Sequence, residues 1–210
     1  MPQNTARKPT FLSRIMRAAV LAAWKAKGWR VVSGRLPREI DKFLIVGAPH
    51  SSNWDFVFFL GATAEFDIEP SFMGKHTLFE GWMGQFMYDM GGVPVDRTKR
   101  ANYVEQVADA YRRADRLALV MAPEGTRRSE GEWRSGFWHI ARAAKVPIVI
   151  TWVDPERHRI GFSEPYMPTD SFGRDLTHIA AFLREHRPDY DRYKVLEAQA
   201  ANLIAAEEDA

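Results

Sequence analysis

The chain has 210 residues, 46% of them hydrophobic and 27% charged, with 29 Lys and Arg against 27 Asp and Glu. That balance excludes wholesale disorder, collagen-like and low-complexity behaviour, and the length suffices for one good-sized domain but not two. A formal charge of +2 gives no reason to expect a nucleic-acid partner; the absence of Cys removes disulfides, thiolate nucleophiles and Cys-based metal sites, which suits a reducing cytoplasm.

The first element in chain order is a helix over Thr10 to Lys27. Leu12, Ile15, Met16, Ala19, Val20 and Ala23 recur along one face at the 3.6-residue period, and Arg14, Arg17 and Lys25 share the opposite one. Such a basic amphipathic helix suits the headgroup region of an anionic membrane, with Trp24 and Trp29 at its end. Packed on the domain instead, it would turn its charged side to water. The apolar run Ala18 to Trp24 is far short of the ~20 residues of a spanning helix. It runs into Lys25, Lys27 and Arg30 with no clear cleavage site, so a cleaved leader is not expected.

A loop marked by Gly34 and Pro37 follows, and then apolar strand runs alternate with helices. Strands are expected at 43–47, 71–73, 93–95, 117–121 and 146–153, with a weaker one at 159–162. Helices are expected at 53–66, 78–90, 103–116, 135–145, 175–186 and 190–206. Continuous apolar strands between helices predict an α/β fold: a single layered domain with a mixed, mostly parallel central sheet flanked by helices and preceded by the amphipathic helix. The division is residues 1–30 for the tail and basic helix, and 31–210 for the domain.

Three segments offer chemistry. The first, Ala48 to Asp55, sets His50 directly after a buried strand and a carboxylate five residues later at a helix start. In a sheet flanked by helices, strand ends open into the crevice where ligands bind. An imidazole there can act as a general base, and a carboxylate on its other nitrogen would fix its tautomer. The bland alternative is a surface His and an Asp complementing the helix dipole. The second segment, Gly91 to Arg97, ends a short strand in a guanidinium suited to phosphate or carboxylate, or to pairing with Asp96. The third, Ala122 to Arg128, follows another buried strand and offers Glu124, Thr126 and Arg127 from a turn shaped by Pro123 and Gly125, a plausible anion cradle. His76, His139, His158, His178 and His186 show no metal-ligand spacing, so no metal is expected. A nucleophile elbow and glycine-rich nucleotide loops are absent.

Taken in order, these segments resemble the glycerolipid acyltransferase family, which includes 1-acylglycerol-3-phosphate acyltransferases. The family's H-x4-D is matched by His50 to Asp55, its glycine-led strand ending in Arg by Gly91 to Arg97, its P-E-G-T-R by Pro123 to Arg127, and its V-P-I-V strand by Val146 to Val149. The resemblance implies that His50 deprotonates an acceptor hydroxyl while Asp55 orients it. It also implies that Arg97, Glu124, Gly125, Thr126 and Arg127, with Lys75 beside them, bind the acceptor. The implied partners are a lysophospholipid acceptor, acyl-CoA or acyl carrier protein as donor substrate, and an anionic membrane surface. No cofactor is implied, and the implied location is the inner face of the cell membrane, bound peripherally. Pro49, Ala122 and Arg128 stand where the family often has Asn, Phe and Ser, changes that bear on acceptor identity more than on reaction type. The alternatives are an acyl thioesterase using the same His–Asp pair and a non-catalytic membrane-surface protein.

Overall fold

Strands buried on both faces must be apolar at nearly every position, and the three longest such runs form neighbouring strands at the centre of the sheet. They are β2 (Lys42–Ala48), β5 (Leu117–Met121) and β6 (Ile148–Asp154), in the order β6-β2-β5. A computed structural model describes residues 10–37, 39–48, 54–66, 68–95, 103–124, 131–189 and 191–209. Around the central trio stand β1 (Arg30–Ser33), β3 (Pro70–Lys75), β4 (Gly92–Val95) and β7 (Arg159–Phe162), completing a seven-stranded sheet in the order β1-β7-β6-β2-β5-β3-β4. The five strands from β6 to β4 are mutually parallel; β7 returns antiparallel to β6 and carries β1 parallel to itself. The fold is the expected α/β arrangement with a mixed, mostly parallel sheet.

Side chains alternate along each strand, so each face collects its own core. Leu44, Val46, Leu117, Leu119, Ile148 and Ile150 pack beneath α4 (Tyr103–Arg113), α5 (Gly136–Ala144), α6 (Phe172–His186) and α7 (Arg192–Glu208). Tyr111 of α4 is fully buried there, its hydroxyl donating to Phe43 O at 2.9 Å, and burial pushes its phenol far above the ordinary tyrosine range. Phe43, Ile45, Val149, Ile160 and Phe162 face the other way, towards α1 (Phe11–Ala26) and α2 (Trp54–Ala64).

Several elements differ from expectation. β1 falls in the stretch read as loop. The helix expected over 78–90 is two pieces, a 3-10 turn (His76–Phe79) and α3 (Trp82–Asp89), separated at Gly81, whose φ of +65° a continuous helix does not allow. Helix α6 starts at Phe172, not at Asp175, because Ser171 caps it by accepting from Arg174 N at 3.1 Å. Asp175 is buried one turn in, where its Oδ2 accepts from Trp138 Nε1 at 2.6 Å and from Thr169 N at 2.8 Å.

Helix α1 is packed on the domain with Arg14 and Lys25 of its charged side exposed, but Arg17 of that side turns to the domain. Arg17 reaches inward to Glu69 at 3.2 Å and to Asp89 O at 3.4 Å, and Trp24 is buried, donating to Glu65 Oε1 at 3.1 Å and stacking on Trp29. The inward face is therefore Arg17, Val20, Leu21 and Trp24, while Phe11, Leu12, Ile15 and Met16 are exposed, Leu12 at 59%. No helix among the described residues is long and apolar enough to cross a membrane.

Candidate active site

All five parallel strands end at one edge of the sheet. Register puts Ala48 of β2 level with Trp152 of β6, and Lys75 of β3 level with Val95 of β4. β5 stops lower, its Met121 level with Val46. Neighbouring strands stand about 4.8 Å apart, so the exits of β2, β5, β3 and β4 fall within about 15 Å of one another. This shared edge is where an open α/β sheet binds ligands.

Each sequence segment singled out for chemistry leaves the sheet here. Two residues carry the chain from Ala48 to His50 and from Val95 to Arg97, a reach of at most about 7 Å. His50, Arg97, Gly125, Thr126 and Arg127 themselves lie outside the described residues, and Asp55 enters only as the second residue of α2. Lys75 ends β3 with its side chain exposed at the edge. Glu124 is the described one of the third segment's candidate residues, and it is inside the protein, 2% exposed, with Oε1 accepting from Arg192 Nη1 of α7 at 3.1 Å. Below it, Pro123 O accepts from Arg134 N at 3.0 Å, so the segment starts and ends against itself.

Residues 31–154 match the family model described as Acyltransferase, more than half of the chain. The chain belongs to the acyltransferase family. A search of curated protein sequences finds no match. The matched part of this acyltransferase runs from β1 to the last residue of β6 and takes in all four motif segments; β7, α6 and α7 lie beyond it. The family expected from the motif order is thus the one found.

Aromatic side chains stand near the acyltransferase edge among the described residues. Trp152 is buried beside Ala48, and Tyr103, the first residue of α4, reaches Met73 Sδ of β3 at 2.9 Å. An ion-pair cluster closes the end of β6. Burial alone would raise the Asp154 carboxyl, but bonds from Arg159 and Arg157 outweigh it and hold the group below the usual carboxylate range. Bonds from Arg187 and then Arg157 hold Asp189 down to about 2. Arg187 also donates to Val153 O, tying the end of α6 to β6. Among the described residues no cluster of His, Asp and Glu is arranged to hold a metal ion.

Motif reading missed Arg192, which meets Glu124 of the third segment from α7, and Gln199, which meets Trp133 further along the same connection. The one signal available was spacing: seven residues is two helical turns, which puts both side chains on one face. Nothing in the sequence says which segment that face meets.

Proposed function

We propose that this acyltransferase moves a fatty acyl group from an acyl thioester, carried on coenzyme A or acyl carrier protein, to the hydroxyl of a lysophospholipid such as 1-acylglycerol-3-phosphate. The observation that carries the reading is the common edge at which β2, β4 and β5 end, each within three residues of His50, Arg97 and Glu124 respectively. His50 takes the proton from the acceptor hydroxyl, and Asp55 orients the imidazole and stabilises its charged form. The hydroxyl oxygen attacks the thioester carbonyl carbon, the new ester C–O bond forms, and the C–S bond breaks. The departing thiolate collects the proton that His50 holds. Arg97, Lys75, Gly125, Thr126 and Arg127 bind the acceptor's phosphate, with Glu124 at the base of their segment. The donor is a substrate, so no resident cofactor takes part.

The acceptor is an amphiphile, which must be reached at an interface. The outward apolar stripe of α1, flanked by exposed Arg14 and Lys25, supports peripheral attachment to an anionic membrane surface on the cytoplasmic side.

The test is transfer of labelled acyl groups from acyl-CoA and from acyl carrier protein to a panel of lysolipids. His50→Ala should cut transfer by about 10²–10⁴ without changing the circular dichroism spectrum. A folded His50→Ala protein as active as wild type overturns the mechanism. Free fatty acid released without an acceptor would make the protein a thioesterase, and vesicle binding with no turnover would make it a non-catalytic surface protein.

A further inference from the structure

The connection between β5 and α5 carries the proposed acceptor-binding residues, and both of its described ends are fastened to α7, a helix outside the family match. At the near end, the buried Glu124 carboxylate accepts from Arg192 Nη1. At the far end, Gln199 pairs with both backbone groups of one residue: Trp133 N donates to Gln199 Oε1 at 3.0 Å, and Gln199 Nε2 donates to Trp133 O at 2.8 Å. Gly131 lies between them at φ +106°, against the stem of Arg192; a Cβ there would stand 3.4 Å from Arg192 Cδ. Helix α7 is itself fixed, with Leu196 and Ala200 buried in the core beside α6.

Two features set this apart from ordinary surface pairing. A carboxylate removed from water depends on its partner, and losing one side of such a pair is far costlier than losing an exposed one. An amide that satisfies both N–H and C=O of a single residue also fixes that residue's position along the helix as well as its distance from it.

We propose that α7 is a positioning clamp for the acceptor segment: Arg192 acts through Glu124, and Gln199 through Trp133, to set where residues 125–130 begin and end. Neither residue touches a reacting atom. The catalytic consequence rests on the reading of that segment as acceptor-binding; the clamp itself does not.

Hydrogen exchange by mass spectrometry and steady-state kinetics on the full chain test both parts. In Arg192→Met and in Gln199→Ala, exchange across peptides covering 122–134 should speed up by about tenfold, the size expected of one lost charged or bidentate bond, while peptides from β2 and β6 stay unchanged. The acceptor KM should rise by roughly fivefold or more and the donor KM should not move. Arg192→Lys should recover part of the loss. Unchanged exchange over 122–134 in both single variants overturns the clamp, and faster exchange with both KM values moving together reduces it to general stability. If Arg192→Met does not fold, Arg192→Lys and Gln199→Ala decide the matter. A wild-type protein that acylates no lysolipid fails the functional reading, and the exchange experiment then still decides the clamp.

Discussion

The two faces of the sheet are closed in different ways. On the α4–α7 face four helices cover one large core, and aromatic rings from different elements interlock: Phe137 meets Trp133 and Phe172 edge-on at 5.7 and 6.0 Å between centroids. On the other face two helices cover a smaller core, and α1 gives it Trp24 while leaving its larger apolar stripe outside. An amphipathic pattern thus says that a helix has two faces, not which of them the fold uses. Here the domain takes the face with Arg17 because Glu69 and the Asp89 carbonyl stand ready for its guanidinium.

The largest effect should come from the closed face. Phe137→Ala should cost about 3–5 kcal/mol in urea unfolding, because the buried ring has no room to be replaced by solvent. A loss below about 1 kcal/mol would put the two faces on a par and break the comparison.

Next comes Gly61→Ala in α2. An added Cβ would sit 2.4 Å from the Trp24 ring, so the ring, and α1 with it, is expected to shift. Overpacking of this kind costs about 1–3 kcal/mol, against up to about 1 kcal/mol gained from better helix propensity. Amide exchange should rise over α1 and stay unchanged over α5. Equal protection in both would mean that Trp24 repacks without releasing the helix.

The smallest effect on stability belongs to the stripe. Changing Leu12, Ile15 and Met16 to Ser should alter unfolding by no more than about 0.5 kcal/mol per site. The same triple variant should lose at least about tenfold in partition onto anionic vesicles, since each side chain buried in a bilayer surface contributes about 1.5–3 kcal/mol. Strong destabilisation would show that the stripe is covered by protein after all, and unchanged vesicle binding would remove it as an attachment surface.

The sheet's centre was legible because strands covered on both sides have no room for polar residues, so 43–47, 117–121 and 146–153 stand out without any alignment. β1 was not: Arg30-Val-Val-Ser33 is a four-residue edge strand of alternating exposure, and its pairing depends on β7, far along the chain. The V-P start of the 146–153 run also overshoots, since Lys145 in the left-handed region (φ +55°) turns the chain and β6 begins only at Ile148. At the site, the segments were legible as residues following buried strands. Their common edge follows from strand order, which local sequence does not encode. Asp175 and Glu124 show the same limit from the side chain's point of view. Both read as a helix-start or loop carboxylate, and both are buried, because Trp138 and Arg192 arrive from elements remote in sequence.

The pairing of β1 with β7 also orders events in time. Strand β1 can enter the sheet only after β7 has left the ribosome, and at about 5–20 residues per second that is a wait on the order of ten seconds. Trp29, already stacked on Trp24, has a second stacking partner in His158, and Arg30 N its acceptor His158 O, on the far side of the same interval. Until then the amino-terminal helix has an undocked end as well as an uncovered stripe, so a nascent chain would present more apolar surface than the finished protein does.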